Sequence, residues 1–318
     1  MMRALKYLLA IAGLIVICAM VWVEGYADVA RAGALVGWGL AVVCVLEVVP
    51  LTIKAWVWRD LLPGAAQGPL GHVVMARWIR QSVSQLLPVA QVGGDAGGAR
   101  LLYLRGLQGD IAGASTVVDM TLGAWAQVAF SVLGIVLFVP LQPPQQLLVA
   151  IMLATAVIGA CLVGFLLTQF NGLFQRGARG TAALSRGLLV LVDDAARLDQ
   201  AIVSMYRQTK PVLRNFAVQT AVQVAGSLEV WLICWFAGTP VDLVSAVLLQ
   251  SLSRTLRAAA FFVPGGLGVQ EGGLILLAPV VGLDSTGALV LALTKRVREI
   301  LVGLPALVWW ARIEQQRL

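Results

Sequence analysis

The sequence predicts an all-α polytopic membrane protein, with about six spanning helices and two re-entrant helical hairpins arranged as an inverted-topology repeat. Three observations predict it. Hydrophobic residues make up 59% of the chain and charged residues 12%, with a mean hydropathy of +0.88; a soluble domain carries roughly 25% charged residues. One pattern occurs twice: Arg77-x-x-Arg80, Pro88, Asp95 and Gly97-Gly98 in the first half, then Arg254-x-x-Arg257, Pro264, Glu271 and Gly272-Gly273 in the second. The basic residues flank the apolar runs with a sidedness that gives the two copies opposite orientations.

Taken in order, the first apolar run is 5–23, preceded by Arg3 and Lys6. It reads as an uncleaved first span, because the stretch around Met20 to Glu24 lacks small residues at a cleavage site. The run 32–57 is interrupted by Glu47 and Pro50 and followed by Arg59. The segment 70–105 carries Arg77 and Arg80, then a Pro/Gly stretch, and is too polar for a simple span. Runs 111–139 and 146–168 are clear spans joined by the Pro143-Pro144 turn. The stretch 171–210 is the long polar part, with Leu184, Leu188, Leu191 and Leu198 at steps of four, three and seven residues, one or two helical turns. That spacing predicts an amphipathic helix along the cytoplasmic surface; a solvated connector is the plainer alternative. The run 211–237 is another span, 241–283 is the second broken segment, and 285–310 is the last span, interrupted by Lys295, Arg296, Arg298 and Glu299. The units 32–139 and 211–310 are thus the two repeats, with 146–168 linking them, in a single membrane domain over 1–318.

Sidedness follows from the basic residues. Arg3 and Lys6 place the N-terminus in the cytoplasm, Lys54 and Arg59 place the end of the second span there, and Arg312 and Arg317 do the same for the C-terminus. The counting closes if 70–105 dips in from the cytoplasm and 241–283 from outside. Irregular backbone at membrane depth is tolerated only when buried in protein or lining a wet cavity.

The net charge of +7 does not point to nucleic acid, because the basic residues are dispersed along membrane-flanking stretches. Cys18, Cys44, Cys161 and Cys234 lie in apolar runs without paired spacing, so neither a disulfide framework nor a cysteine metal site is indicated. A single histidine, His72, excludes any site that needs two. The glycine-rich pieces around Gly93-Gly94 and Gly265-Gly266 fit neither a dinucleotide nor a P-loop pattern. No metal and no cofactor is expected.

Charges inside membrane segments are costly and mark a site by default. Arg77/Arg80 and Arg254/Arg257 each share a helix face one turn apart, which suits a bidentate clamp for phosphate or another anionic group. The plainer reading is that the acids neutralise them and merely hold the hairpins. Asp95 and Glu271 are candidate counter-ions or proton-coupling groups, and mid-span Glu47 and Glu229 are candidate partners for the arginines. Pro88, Gly93, Gly94, Pro264, Gly265, Gly266 and Gly268 are expected at the hairpin tips. Asp119 has no clear assignment, and the charges 295–299 suit a gate, a third basic contact or a wet vestibule.

Pro264-Gly-Gly-Leu-Gly268 followed by Glu271 resembles the hallmark of the lysylphosphatidylglycerol synthase transmembrane-region family, the flippase-like membrane domain of the bifunctional multiple-peptide-resistance proteins. The stretch Gln85 to Asp95 resembles its stand-alone, hopanoid-biosynthesis-associated branch. The resemblance covers most of the chain. It implies a bacterial inner-membrane protein that moves or handles a lipid between leaflets, with two re-entrant helices. The bifunctional relatives carry a soluble aminoacyl-transferase domain that these 318 residues do not contain, so lysyl transfer is not expected. The expected partners are a membrane lipid and lipid-biosynthesis enzymes. The alternatives are a membrane-embedded enzyme acting on a lipid head group and a scaffold in lipid or hopanoid synthesis.

Overall fold

The computed structural model describes residues 34, 36–87, 90–172, 195–259 and 269–315. The expected first span 5–23, most of the polar stretch, and Pro88, Pro264, Gly265, Gly266 and Gly268 lie outside them. Glu271 is described in its backbone only. Among the described residues the chain is helical, with short 3-10 turns and no strand. We number the helices α1 (Trp38–Leu46), α2 (Val48–Asp60), α3 (Leu70–Leu86), α4 (Ala90–Leu104), α5 (Gly109–Phe138), α6 (Gln145–Phe170), α7 (Ala195–Tyr206), α8 (Thr209–Ala225), α9 (Ser227–Phe236), α10 (Leu243–Ala259), α11 (Val269–Leu277) and α12 (Ser285–Gln315).

Local chemistry explains the breaks. α1 and α2 form one rod interrupted at Glu47. Pro50 offers no N–H to the Leu46 carbonyl, and its ring crowds that carbonyl. α8 and α9 form the equivalent rod, broken at Gly226. With α5 and α6, these rods give four helices long and apolar enough to cross a membrane: Trp38–Asp60, Gly109–Leu141, Gln145–Phe170 and Thr209–Phe236. α12 is also long, at 31 residues, but Lys295, Arg296, Arg298 and Glu299 in its middle keep it out of that set. The chain is a multi-pass helical membrane protein, with four apolar spans among the described residues.

α3 and α4 have 17 and 15 residues, about 25 and 22 Å at 1.5 Å per residue. Each is shorter than the ~30 Å hydrocarbon layer. They form an antiparallel pair: Gly94 faces the Arg80 carbonyl and Ser84, and Gly98 faces Ala76 and Arg80, one turn earlier. A Cβ on Gly94 would stand 2.0 Å from Ser84 Oγ, so only glycine allows this approach. Gly93 and Gly94 were expected at the hairpin tip. They lie instead within α4, because the glycines serve helix packing rather than the turn. α10 (17 residues) and α11 (9 residues) pack as the second pair.

The two units pack reciprocally. α3 of the first lies on α12 of the second, and α10 of the second lies on α5 of the first. α1 packs on α9 and α2 on α8, so the two broken rods run antiparallel. The buried apolar residues form two cores. One holds Trp58, Ile79, Leu102, Val118 and Ile202; the other holds Phe138, Ile233, Leu249, Leu252 and Leu291. α6 instead exposes Val149, Leu153, Val157 and Leu167, the surface a lipid-facing helix presents. α7 is the described part of the expected surface helix. It buries Leu198, Ile202 and Met205 and packs on α5 and α6, so its apolar face is covered by protein.

Candidate functional site

The first arginine pair is held in a closed network. Both Arg77 and Arg80 donate to Asp119 Oδ2, Arg80 through Nη1 at 2.6 Å. Arg80 Nε also donates to Asp95 Oδ1 across the hairpin. Asp119 Oδ1 accepts from Asn215 and Gln219 on α8, each at 3.2 Å, and Gln219 donates to Asn215 at 2.7 Å. The Trp58 ring lies 5.4 Å from Arg80 Cζ, a cation–π distance. Two cations meet two carboxylates, with the amides filling the remaining acceptor positions. Such a neutral, satisfied network fixes the mutual positions of α3, α4, α5 and α8. Asp95 here is a counter-ion to Arg80.

Glu47 and Glu229, the two mid-span acids, converge on Arg298 of α12. Arg298 donates to Glu229 Oε1 through Nε at 2.9 Å and lies 2.8 Å away through Nη2, while Nη1 is 3.4 Å from Glu47 Oε1. Gln81 of α3 donates to Glu47 at 2.8 Å. One arginine therefore ties both broken rods to α12.

The second arginine pair is not held in the same way. Arg254 donates to the amide oxygen of Gln223 on α8. Arg257 donates to Gln270 Oε1 at 2.7 Å and to Glu299 Oε1 at 3.1 Å. Glu299 is shared, since Arg296 donates to its other oxygen at 2.7 Å. Lys295 donates to the amide oxygen of Gln250. In this half Arg257 and Arg296 pair with Glu299 and Arg298 pairs with Glu229 and Glu47, while Arg254 and Lys295 make no ion pair among the described residues. Among the described side chains these five cations outnumber the three acids. Gln270, Leu274, Ala292, Lys295, Arg296 and Glu299 line a narrow cleft between α11 and α12.

The two halves share one neighbour. Lys54 on α2, read from sequence as a flank marking sidedness, lies within electrostatic reach of both Arg77 and Arg254. The arginine motifs, 177 positions apart in sequence, thus converge on a single region. Gly97 and Gly98 pack beside Trp310 and Trp58.

Sequence reasoning left Asp119 unassigned and did not single out the amides. Their signal was present: Asn215, Gln219 and Gln223 recur at four-residue steps in an otherwise apolar run. That step places them on one helix face, and the face turns towards Asp119 and Arg254.

In comparisons with known proteins, the family described as lysylphosphatidylglycerol synthase TM region matches residues 8–306. Neither curated proteins nor solved structures give a match.

Proposed function

The chain belongs to the lysylphosphatidylglycerol synthase TM-region family, and from that premise we propose that it translocates a lipid with an anionic head group between leaflets of the bacterial inner membrane. The observation that carries this reading is the unequal treatment of the two arginine pairs. Arg77 and Arg80 are neutralised by Asp95 and Asp119, whereas Arg254 and Lys295 have only amide oxygens among the described residues. Desolvated cations in excess attract an anion, and guanidinium groups suit phosphate.

In this reading the two short hairpins enter the bilayer from opposite faces and meet near its middle. The first is a fixed support. The second, with α12, receives the head group through Arg254 and Arg257, and the acyl chains stay in lipid. The antiparallel packing of the broken rods supports the inverted arrangement, and the cation excess favours an anionic lipid over an uncharged hopanoid.

The test is flip-flop in proteoliposomes with leaflet-labelled phosphatidylglycerol. Intact protein is expected to accelerate transfer, and Arg254→Gln and Arg257→Gln to abolish the acceleration while keeping the helical content. Equal transfer by the arginine variants and the intact protein would refute the assignment of the site. Absence of transfer by the intact protein would refute translocation of this lipid.

A further inference from the structure

Lys295 and Gln250 form a buried polar node that the ion-pair networks leave out. Lys295 is 3% exposed and Gln250 is fully buried. Among the described residues the lysine has no carboxylate within 4.0 Å, and its hydrogen-bond partner is the Gln250 amide oxygen. Among the described residues the Gln250 amide nitrogen has no partner, and neither do the hydroxyls of Ser227 and Thr294. That amide nitrogen points towards the break between α8 and α9, since a Cβ on Gly226 would stand 3.7 Å from it. Lys295 also lines the cleft between α11 and α12, beside Arg296 and Gln270.

An ammonium group carries three donors and a primary amide two, so most donors at this node are unused. Buried donors without partners are costly, and a buried cation without a counter-ion is more so. Water could accept the hydrogen bonds but would leave the charge unbalanced. An anion satisfies both requirements. Glu229 and Glu299 act on Lys295 only through space, since their hydrogen bonds go to Arg298, Arg257 and Arg296, so no carboxylate among the described residues takes a hydrogen bond from the ammonium.

We propose that Lys295, positioned by Gln250, is the specificity-determining contact that reads net negative charge on a phosphodiester head group. This rests on the translocase reading and goes beyond it by assigning selectivity to α12 rather than to the arginine pairs. Arg254 and Arg257 attract phosphate of any kind. Lys295 favours a lipid whose phosphate carries no cation of its own.

The experiment is thermal stabilisation of purified protein in detergent by phosphatidylglycerol, by phosphatidylcholine, and by free sn-glycerol 3-phosphate. Phosphatidylglycerol is expected to stabilise intact protein at lower concentration than phosphatidylcholine. Lys295→Met should raise the half-maximal phosphatidylglycerol concentration by about tenfold or more, the scale of one charged hydrogen bond. Gln250→Glu supplies a fixed counter-ion in nearly the same shape, so it should produce the same loss with the fold intact. Retention of phosphatidylglycerol preference in both variants overturns the proposal, as does an equal loss of both lipids. Stabilisation by glycerol 3-phosphate that matches the lipid and is lost in both variants keeps the anion site but makes its ligand a soluble phosphate ester. Because the readout is binding, a failure of transfer in vesicles would count against translocation alone.

Discussion

Replacing Asp119 with asparagine tests the closed network of the first hairpin. The substitution keeps the shape and removes one charge. In the intact protein Asp119 is 1% exposed and accepts from Arg77, Arg80, Asn215 and Gln219. With asparagine, Arg80 retains Asp95, Arg77 loses its carboxylate, and the buried network moves from neutral to one net positive charge. Removing one partner of a buried ion pair costs about 3–5 kcal/mol, and two guanidinium groups depend on this carboxylate, so the upper part of that range applies. The assay is thermal or denaturant unfolding in detergent, followed by helical ellipticity. A paired variant, Arg77→Met with Asp119→Asn, removes the unpaired cation and should recover at least ~1 kcal/mol relative to Asp119→Asn alone. A loss below about 1 kcal/mol for Asp119→Asn, with no recovery in the double variant, would refute the view that this network holds the hairpin.

Three further outcomes follow from the geometry. Gly94→Ala must separate α3 from α4, because its Cβ would lie 2.0 Å from Ser84 Oγ and 2.4 Å from the Arg80 carbonyl oxygen; the overpacking cost is about 1–3 kcal/mol. Gly97→Ala meets nothing closer than 3.8 Å and should be neutral or slightly stabilising in the same unfolding assay, since alanine is favoured over glycine in a helix by roughly 1 kcal/mol. Glu229→Gln should destabilise more than Glu47→Gln, because Glu229 meets Arg298 at 2.8 Å while Glu47 lies at 3.4 Å and keeps its bond to Gln81; equal losses in denaturant titrations would show that Arg298 does not favour one rod.

The repeated arginine–proline–acid pattern was legible because its spacing survives in both halves, and the break in the first rod was legible from Pro50 near Glu47. Counter-ion assignment was legible only in part. Asp95 lies 15 positions from Arg80, within the same motif, and could be paired with it on sequence alone. Asp119 lies 39 positions from Arg80, two helices further on in α5, and nothing local singles it out. The charges 295–299 read as a disturbance in a span because a linear hydropathy pattern does not show which helices cover them. Lys54 read as a flank for the same reason: its distance from the bilayer edge depends on how the rods are packed.

By itself the sequence determined that the chain is helical, embedded in a membrane and marked twice by one charged motif, because hydropathy and residue spacing are properties of the chain and survive any packing. The tertiary structure decided which of these buried charges meet carboxylates and which meet amides. Charge balance depends on distance, and the partners that set it come from helices far apart in sequence. Asn215 and Gln219 on α8 complete the carboxylate that holds Arg77 and Arg80. Arg254 and Lys295 are met by amides alone among the described residues. The two copies of one motif thereby meet different partners, a difference carried by their neighbours rather than by the motif.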